Sequence, residues 1–370
     1  MPYSLAPPSN FLEILQRVWW RLDRALDEES VRASAVRGGL EALSSGTTTV
    51  IDHHASPGYI DGSLDVIAEA LEELGLRSVL CYEVTERDGV DRANAGIDEN
   101  ARFLRQSWPL ARGMVGAHAS FTLSDEMLTA CAELADSTGT GVHIHVAEDG
   151  ADQRDSEARF HQRVVERLST IGVVNERSLL AHCVHVDERE ISLVRAAKAT
   201  VACNPRSNMN NAVGRSPFAG GMGRVALGTD GIGGDMFAEA RAGFFRAKED
   251  DVRTAPDWPL DRLFESARLA GRIYDEPLLG TLDPGAPADL IVVAYEAPSP
   301  LLEETLAGHV VFGFSPGQVR DVYVAGELVV AAGRSTRVDE AKAAATQLSV
   351  TKRLWQRLDE IPAHDFEPEG

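Results

Sequence analysis

The sequence predicts an α/β chain built as a (β/α)8 barrel of the TIM type whose first strand is missing, carrying a small, incomplete β-sandwich appendage. Three observations point there. Short β-rich runs alternate with longer amphipathic stretches at strand-to-strand spacings of about 21 to 37 residues, the size of a βα unit. Histidines and carboxylates gather at the C-terminal ends of those runs, the face where such barrels carry their chemistry. After residue 278 the texture changes to short strands and turns.

In chain order, FLEILQRVWWRLDRAL (11–26) reads as a helix with no strand before it. The apolar runs are then 47–54, 77–84, 113–118, 141–146, 178–186, 199–204 and 224–230, seven strands where a barrel needs eight. Helical patterns lie between them, among them 63–75, 125–137 and a single helix over 158–172. Strands alternating with helices imply a parallel sheet with right-handed crossovers. Stretches 280–293 and 319–334 read as short strands with a hairpin at Ala325-Gly326-Glu327, and the Pro- and Gly-rich 295–318 links them. A helix over 338–360 closes the chain. These changes divide it into a barrel at 1–278, a sandwich remnant at 279–335 and a C-terminal helix and tail at 336–370.

Composition narrows the class. Hydrophobic residues at 44% and charged residues at 25% are enough to bury a large core and exclude disorder. A net charge of -21 argues against nucleic acid or an anionic membrane as partner. No apolar run approaches the roughly 18 residues of a membrane span, and the first residues lack a signal-peptide pattern, so a cytoplasmic protein is expected. No GxGxxG follows the first strand and no GxxxxGK[ST] occurs, which disfavours a nucleotide-binding doubly wound fold and an NAD-dependent oxidoreductase. Cys81, Cys131, Cys183 and Cys203 form no CxxC pair and read as buried thiols.

Candidate chemistry sits at three strand ends. In GVHIHVAED, His143 and His145 share one face of a strand and Glu148 follows where the strand becomes a loop. An imidazole that can bind a metal, beside a carboxylate that can relay a proton to water, suits hydrolytic metal catalysis; a pair of hydrogen-bonded core histidines is the plainer alternative. In LLAHCVHV, His182 ends the strand facing inward and His185 starts the loop. In LGTDG, Asp230 closes an apolar run, where it needs a metal or basic partner unless it caps the following helix.

These runs carry a resemblance. GTTTVIDHHASP, HVAEDGAD, LLAHCVHV, NPRSNMNNAVG and LGTDGIGGD resemble the amidohydrolase superfamily, in its branch of cyclic deaminases and chlorohydrolases, and are most similar to the aminohydrolases called SsnA. The resemblance spans about residues 3 to 335. It implies a distorted barrel with one divalent metal, zinc with iron or manganese as alternatives, and metal-activated water that deaminates a cyclic amidine or amino-heterocycle. It makes His145 and Asp230 metal ligands, Glu148 the proton shuttle and His182 the residue that orients water. His118 would bind or polarise the small heterocyclic substrate, with His185, Asn204 and Asn208 also lining its site and Ser207 shaping the same loop. His54 and Glu83 are candidates for the pocket wall, with ordinary supporting contacts as the alternative. Loop 86–100 and residues 208–221 are expected to set specificity.

One departure stands out. The family's first strand ends in HxH, two ligands of the same metal, and none precedes Tyr3 here. The chain is expected to start just downstream of it, leaving open barrel edges that the helix bearing Trp19 and Trp20, or a homodimer partner, would cover. The alternative function is then a metal-poor, inactive barrel that serves as a binding or assembly subunit, or a mis-started fragment.

Overall fold

A computed structural model describes residues 7–217 and 221–370. The Met1–Ala6 segment and residues 218–220 of the expected specificity stretch lie outside the described residues.

All seven expected strands form. They are β1 (Thr49–His54), β2 (Arg77–Val84), β4 (Val115–Ala119), β5 (Val142–Val146), β6 (Leu179–His182), β7 (Thr200–Cys203) and β8 (Arg224–Leu227), joined by a short extra strand β3 (Ala111–Gly113). They pair in parallel in the order β1-β2-β4-β5-β6-β7-β8, with β3 alongside β2. Helices connect successive strands, as parallel pairing requires. Among the described residues the sheet curls without closing, and β1 and β8 are its end strands. The main core lies between sheet and helices, where Val115, Val142, Ile144, Val164, Leu180 and Val201 are fully buried. The four cysteines are free and buried, as expected.

Strand packing is close where the sheet has no side chain. A Cβ on Gly141, just before β5, would overlap the backbone carbonyl of Arg177, just before β6. Neither backbone can yield without shifting a strand. Gly141→Ala is therefore expected to cost at least about 1–3 kcal/mol. Gly308 lies in a helix with nothing near its missing Cβ, so Gly308→Ala should stabilise by up to about 1 kcal/mol. Urea unfolding midpoints of the two variants should move in opposite directions.

The sequence reading is corrected at two helices. The stretch 158–172 is not one helix: Gly150–Phe160 ends at His161, whose φ is 54°, and a second helix covers Val164–Ile171. Arg163 in the break reaches the buried Glu190 and the His185 carbonyl, contacts that a continuous helix could not make. Within the Pro- and Gly-rich stretch 295–318 a helix forms at Glu303–Gly313. Gly308 and two valines make it a poor helix former in isolation. Tertiary contacts supply what propensity lacks, since Val311 is fully buried and Arg241 caps the carbonyls of Val311 and Phe314.

A second, antiparallel sheet comprises β9 (Leu290–Val293), β10 (Val319–Val324), β11 (Glu327–Ala331) and β12 (Arg334–Ser335). The expected hairpin turns at Ala325 and Gly326, with φ of 50° and 84°. The closing helix runs Glu340–Glu360. Among the described residues, no helix is long and apolar enough to cross a membrane.

The helical segment Phe11–Ala25 includes a wider, π-type turn at Leu15–Trp19. It lies over the C-terminal ends of the strands. Trp20 is buried with its ring edge-on to His118 and close to Phe121, while the Trp19 ring lies beside Gly231. Both line the cavity below.

Candidate active site

A cavity of about 910 Å³ runs through the barrel interior, from Thr49 and Leu179 at the start of their strands to the C-terminal strand ends. His145, Glu148, His182, His118, Asn204 and Asp230 all line it. Three of its supporting positions have left-handed backbone that non-glycine residues adopt rarely: Ala147, His182 and Asp230, with φ of 47°, 71° and 51°. Such strain collects at functional sites because the surrounding structure enforces it.

Hydrogen bonds determine which nitrogen each imidazole presents. His145, near the end of β5, donates from Nδ1 to the His118 carbonyl at 2.7 Å. Its Nε2 is left with a lone pair, and burial holds its pKa down at about 4, so the ring is neutral. His182, the last residue of β6, donates from Nδ1 to Asn208 Oδ1 at 2.8 Å. Its Nε2 faces Glu148 Oε2 at 3.4 Å and Asp230 Oδ2 at 3.8 Å. Burial disfavours its charge, yet Glu148 and Asp230 prevail and raise its pKa.

The carboxylates differ. Burial pushes Glu148 up to about 7 against the attraction of His182. Asp230 is also opposed by burial, but His182, the 2.5 Å bond from Ser207 Oγ and His145 hold it below the usual range. Two carboxylates of unequal acidity around one imidazole is an arrangement that separates a proton carrier from a permanent anion. Asp230 does not cap the next helix; Asp235 does, accepting from the Ala238 amide.

Ligand atoms of Glu148, His182 and Asp230 lie within 4.8 Å of one another, and so do those of a second trio, His53, Glu83 and His145. The lone pair on His145 Nε2 and the Glu83 carboxylate in the second trio are donors that suit a divalent cation.

The remaining expected residues fall into two groups. His118 is buried, donates from Nδ1 to Thr122 Oγ1 at 2.7 Å and is kept neutral by burial. Asn204 is buried with Nδ2 beside the His182 ring, and Ser207 donates to Asp230. His185 and Asn208 are corrected, for neither lines the cavity. His185 is exposed and donates to the Val213 carbonyl, because the chain leaves the barrel right after Cys183. Asn208 is buried behind His182 and positions that ring rather than a ligand. His54 and Glu83 both line the cavity; His54 bonds Ser56 at 2.8 Å, while Glu83 pairs with Arg87 at 2.5 Å.

His53 stands among the polar strand-end residues of the sequence but is given no role by sequence reasoning. Its ring lies 4.7 Å from that of His143 and 4.8 Å from that of His145. The period-two alternation of TVIDHH places it on the face of Ile51, a signal that could have separated it from His54.

Comparison with known proteins agrees with this geometry. Residues 5–329 match the amidohydrolase family. The 5'-deoxyadenosine deaminase of Methanopyrus kandleri is 30% identical over 348 residues, covering 91% of this chain and 79% of that one. The 5-methylthioadenosine/S-adenosylhomocysteine deaminase of Moorella thermoacetica is 31% identical over 364 residues, covering 94% and 81%. The zinc-bound crystal structure of an adenosine deaminase from Xanthomonas campestris superposes with a TM-score of 0.84 at 25% identity, covering 95% of this chain and 81% of that one. Atrazine chlorohydrolase of Arthrobacter aurescens, complexed with zinc, shares the fold at a TM-score of 0.77 and 20% identity, covering 92% and 81%. A parallel sheet whose strand ends converge on histidines and carboxylates therefore has its explanation in descent: the chain belongs to the amidohydrolase family, hydrolases of non-peptide carbon–nitrogen bonds that work with a divalent metal.

Proposed function

We propose that the chain is a zinc-dependent aminohydrolase that deaminates an adenine nucleoside modified at the 5' position. The observation that carries the reading is the meeting of Glu148, His182 and Asp230 within 4.8 Å at three strand ends. The nucleoside class rests on the names of the relatives above. The cavity supports it, being within the range that holds a small ligand and carrying an aromatic wall of Trp19, Trp20 and Phe121.

In this reading His145 and Asp230 hold the metal. Zinc, when bound there, supplies acidification of water and polarisation of the atom under attack. Glu148 takes the proton from the attacking water and delivers it to the departing amino nitrogen. Its elevated pKa suits both directions of transfer near neutral pH. His182, fixed by Asn208, donates from Nε2 and orients the water beside Glu148. His118 and Asn204 contact the purine ring, and closure by the Trp19–Trp20 helix keeps bulk water out.

The test is ammonia release from 5'-deoxyadenosine, 5'-methylthioadenosine, adenosine, cytosine and a triazine by zinc-loaded protein. A kcat/KM on the order of 10⁴ M⁻¹s⁻¹ or more is expected for at least one 5'-modified nucleoside. Turnover of cytosine or triazine with none of the nucleosides would overturn the substrate class. No turnover of any of them by zinc-bound protein would overturn the enzyme reading.

A further inference from the structure

His53 has a place in the cavity that the chemistry above does not use. Its Nε2 lies 3.2 Å from two backbone carbonyls, those of Ala117 and His143. Carbonyl oxygens only accept, so Nε2 carries a proton, and a ring protonated there alone keeps a lone pair on Nδ1. That Nδ1 is buried and has no hydrogen-bond partner. It faces Glu83 Oε2 at 3.4 Å. Glu83 is ionised, because Arg87, itself buried and also paired with Asp23, holds its other oxygen at 2.5 Å.

A lone pair and a carboxylate facing each other in a buried site repel unless something positive lies between them. His145 adds a third group, since its Nδ1 is committed to the His118 carbonyl and its Nε2 is free to ligate. Ligand atoms of His53, Glu83 and His145 lie within 4.8 Å of one another, each from a different strand, β1, β2 and β5. Rigid strands are the elements that hold metal ligands in register.

We propose that His53 is a metal ligand through Nδ1, beside His145 and with the Glu83 carboxylate facing the same ion. With His145, His53 and Glu83 form a trio of ligand atoms distinct from that of Glu148, His182 and Asp230, and three protein ligands suit a zinc site that keeps one position open. The inference rests on the metal-dependent reading of the site above. Arg87 acts through Glu83, as a positioning residue that keeps the carboxylate turned toward His53.

Two measurements test it. Metal-free protein, prepared by dialysis against a chelator, is titrated with zinc in competition with a chromophoric chelator. His53→Asn and Glu83→Gln should each weaken zinc binding at least about tenfold. His161→Asn, at an exposed helix end away from the cavity, should not. The second measurement needs no variant and so survives misfolding of either. In wild-type protein loaded with cadmium-113 and labelled with nitrogen-15 histidine, one imidazole should couple to the metal through Nδ1 and another through Nε2. Coupling through Nε2 alone, or wild-type zinc affinity in folded His53→Asn, would overturn the proposal and mean that a proton bridges His53 and Glu83. Loss of zinc binding in His145→Asn would then still uphold the function proposed above. Failure of the wild-type chain to bind either metal would overturn both.

Discussion

Glu148→Gln is expected to lower kcat by about 10²- to 10⁴-fold, the usual range for loss of a general acid–base group. Zinc content should stay at the wild-type level. The substitution keeps the side chain's size and its contact with Asn211, which now lies at 3.3 Å from Oε1. What it removes is the carboxyl group that burial has brought to a pKa of about 7. Glutamine can neither take a proton from water nor give one to an amine, so both transfers lose their carrier. The fall corresponds to roughly 3–5 kcal/mol of transition-state stabilisation. Wild-type turnover in the variant, with zinc bound, would remove Glu148 from the mechanism. Lost activity with lost zinc would instead make it a metal ligand.

The largest expected effect on stability is at Asp289, far from the chemistry. This residue, just before β9, accepts from Arg77 Nε at 2.7 Å, from Arg77 Nη2 at 3.1 Å and from the Ala325 amide at 2.8 Å. Arg77 opens β2 and is itself buried, so this fork ties the antiparallel sheet to the barrel. Asp289→Ala leaves a buried guanidinium without its carboxylate and is expected to cost about 3–5 kcal/mol. Arg77→Met combined with Asp289→Leu should cost less than Asp289→Ala, because no lone charge remains. Urea unfolding followed by far-ultraviolet circular dichroism measures both. A loss below about 1 kcal/mol in Asp289→Ala would show that water reaches Arg77 and that the fork does not hold the two sheets together.

Much of the fold was legible in the sequence because each strand of a parallel sheet is buried on both faces and reads as a compact apolar run. All seven main strands, from Thr49–His54 to Arg224–Leu227, were found this way. The same logic exposed His145, His182 and Asp230, since polar residues ending apolar strands stand out against their surroundings. The break at His161 escaped because amphipathic periodicity continues across it, and only Arg163's contacts with Glu190 and His185 decide it. The helix at Glu303–Gly313 escaped for the opposite reason: its local propensity is weak and its order comes from packing.

At the site, the sequence by itself determined which residue types stand at which strand ends, and through them the family and the hydrolytic chemistry. Alternation along a strand assigns a side chain to a face, and that information is local. Which nitrogen an imidazole presents is not local. His145 is oriented by a carbonyl from the neighbouring strand, His182 by Asn208, and His53 by two carbonyls from β4 and β5. The same holds for the two residues that moved out of the expected pocket, His185 and Asn208, whose positions follow from where the loops after β6 and β7 turn. Only the tertiary structure brings the Ala117 and His143 carbonyls against His53, because β1 is two and three strands from β4 and β5 in the sheet and meets them only once the sheet has curled.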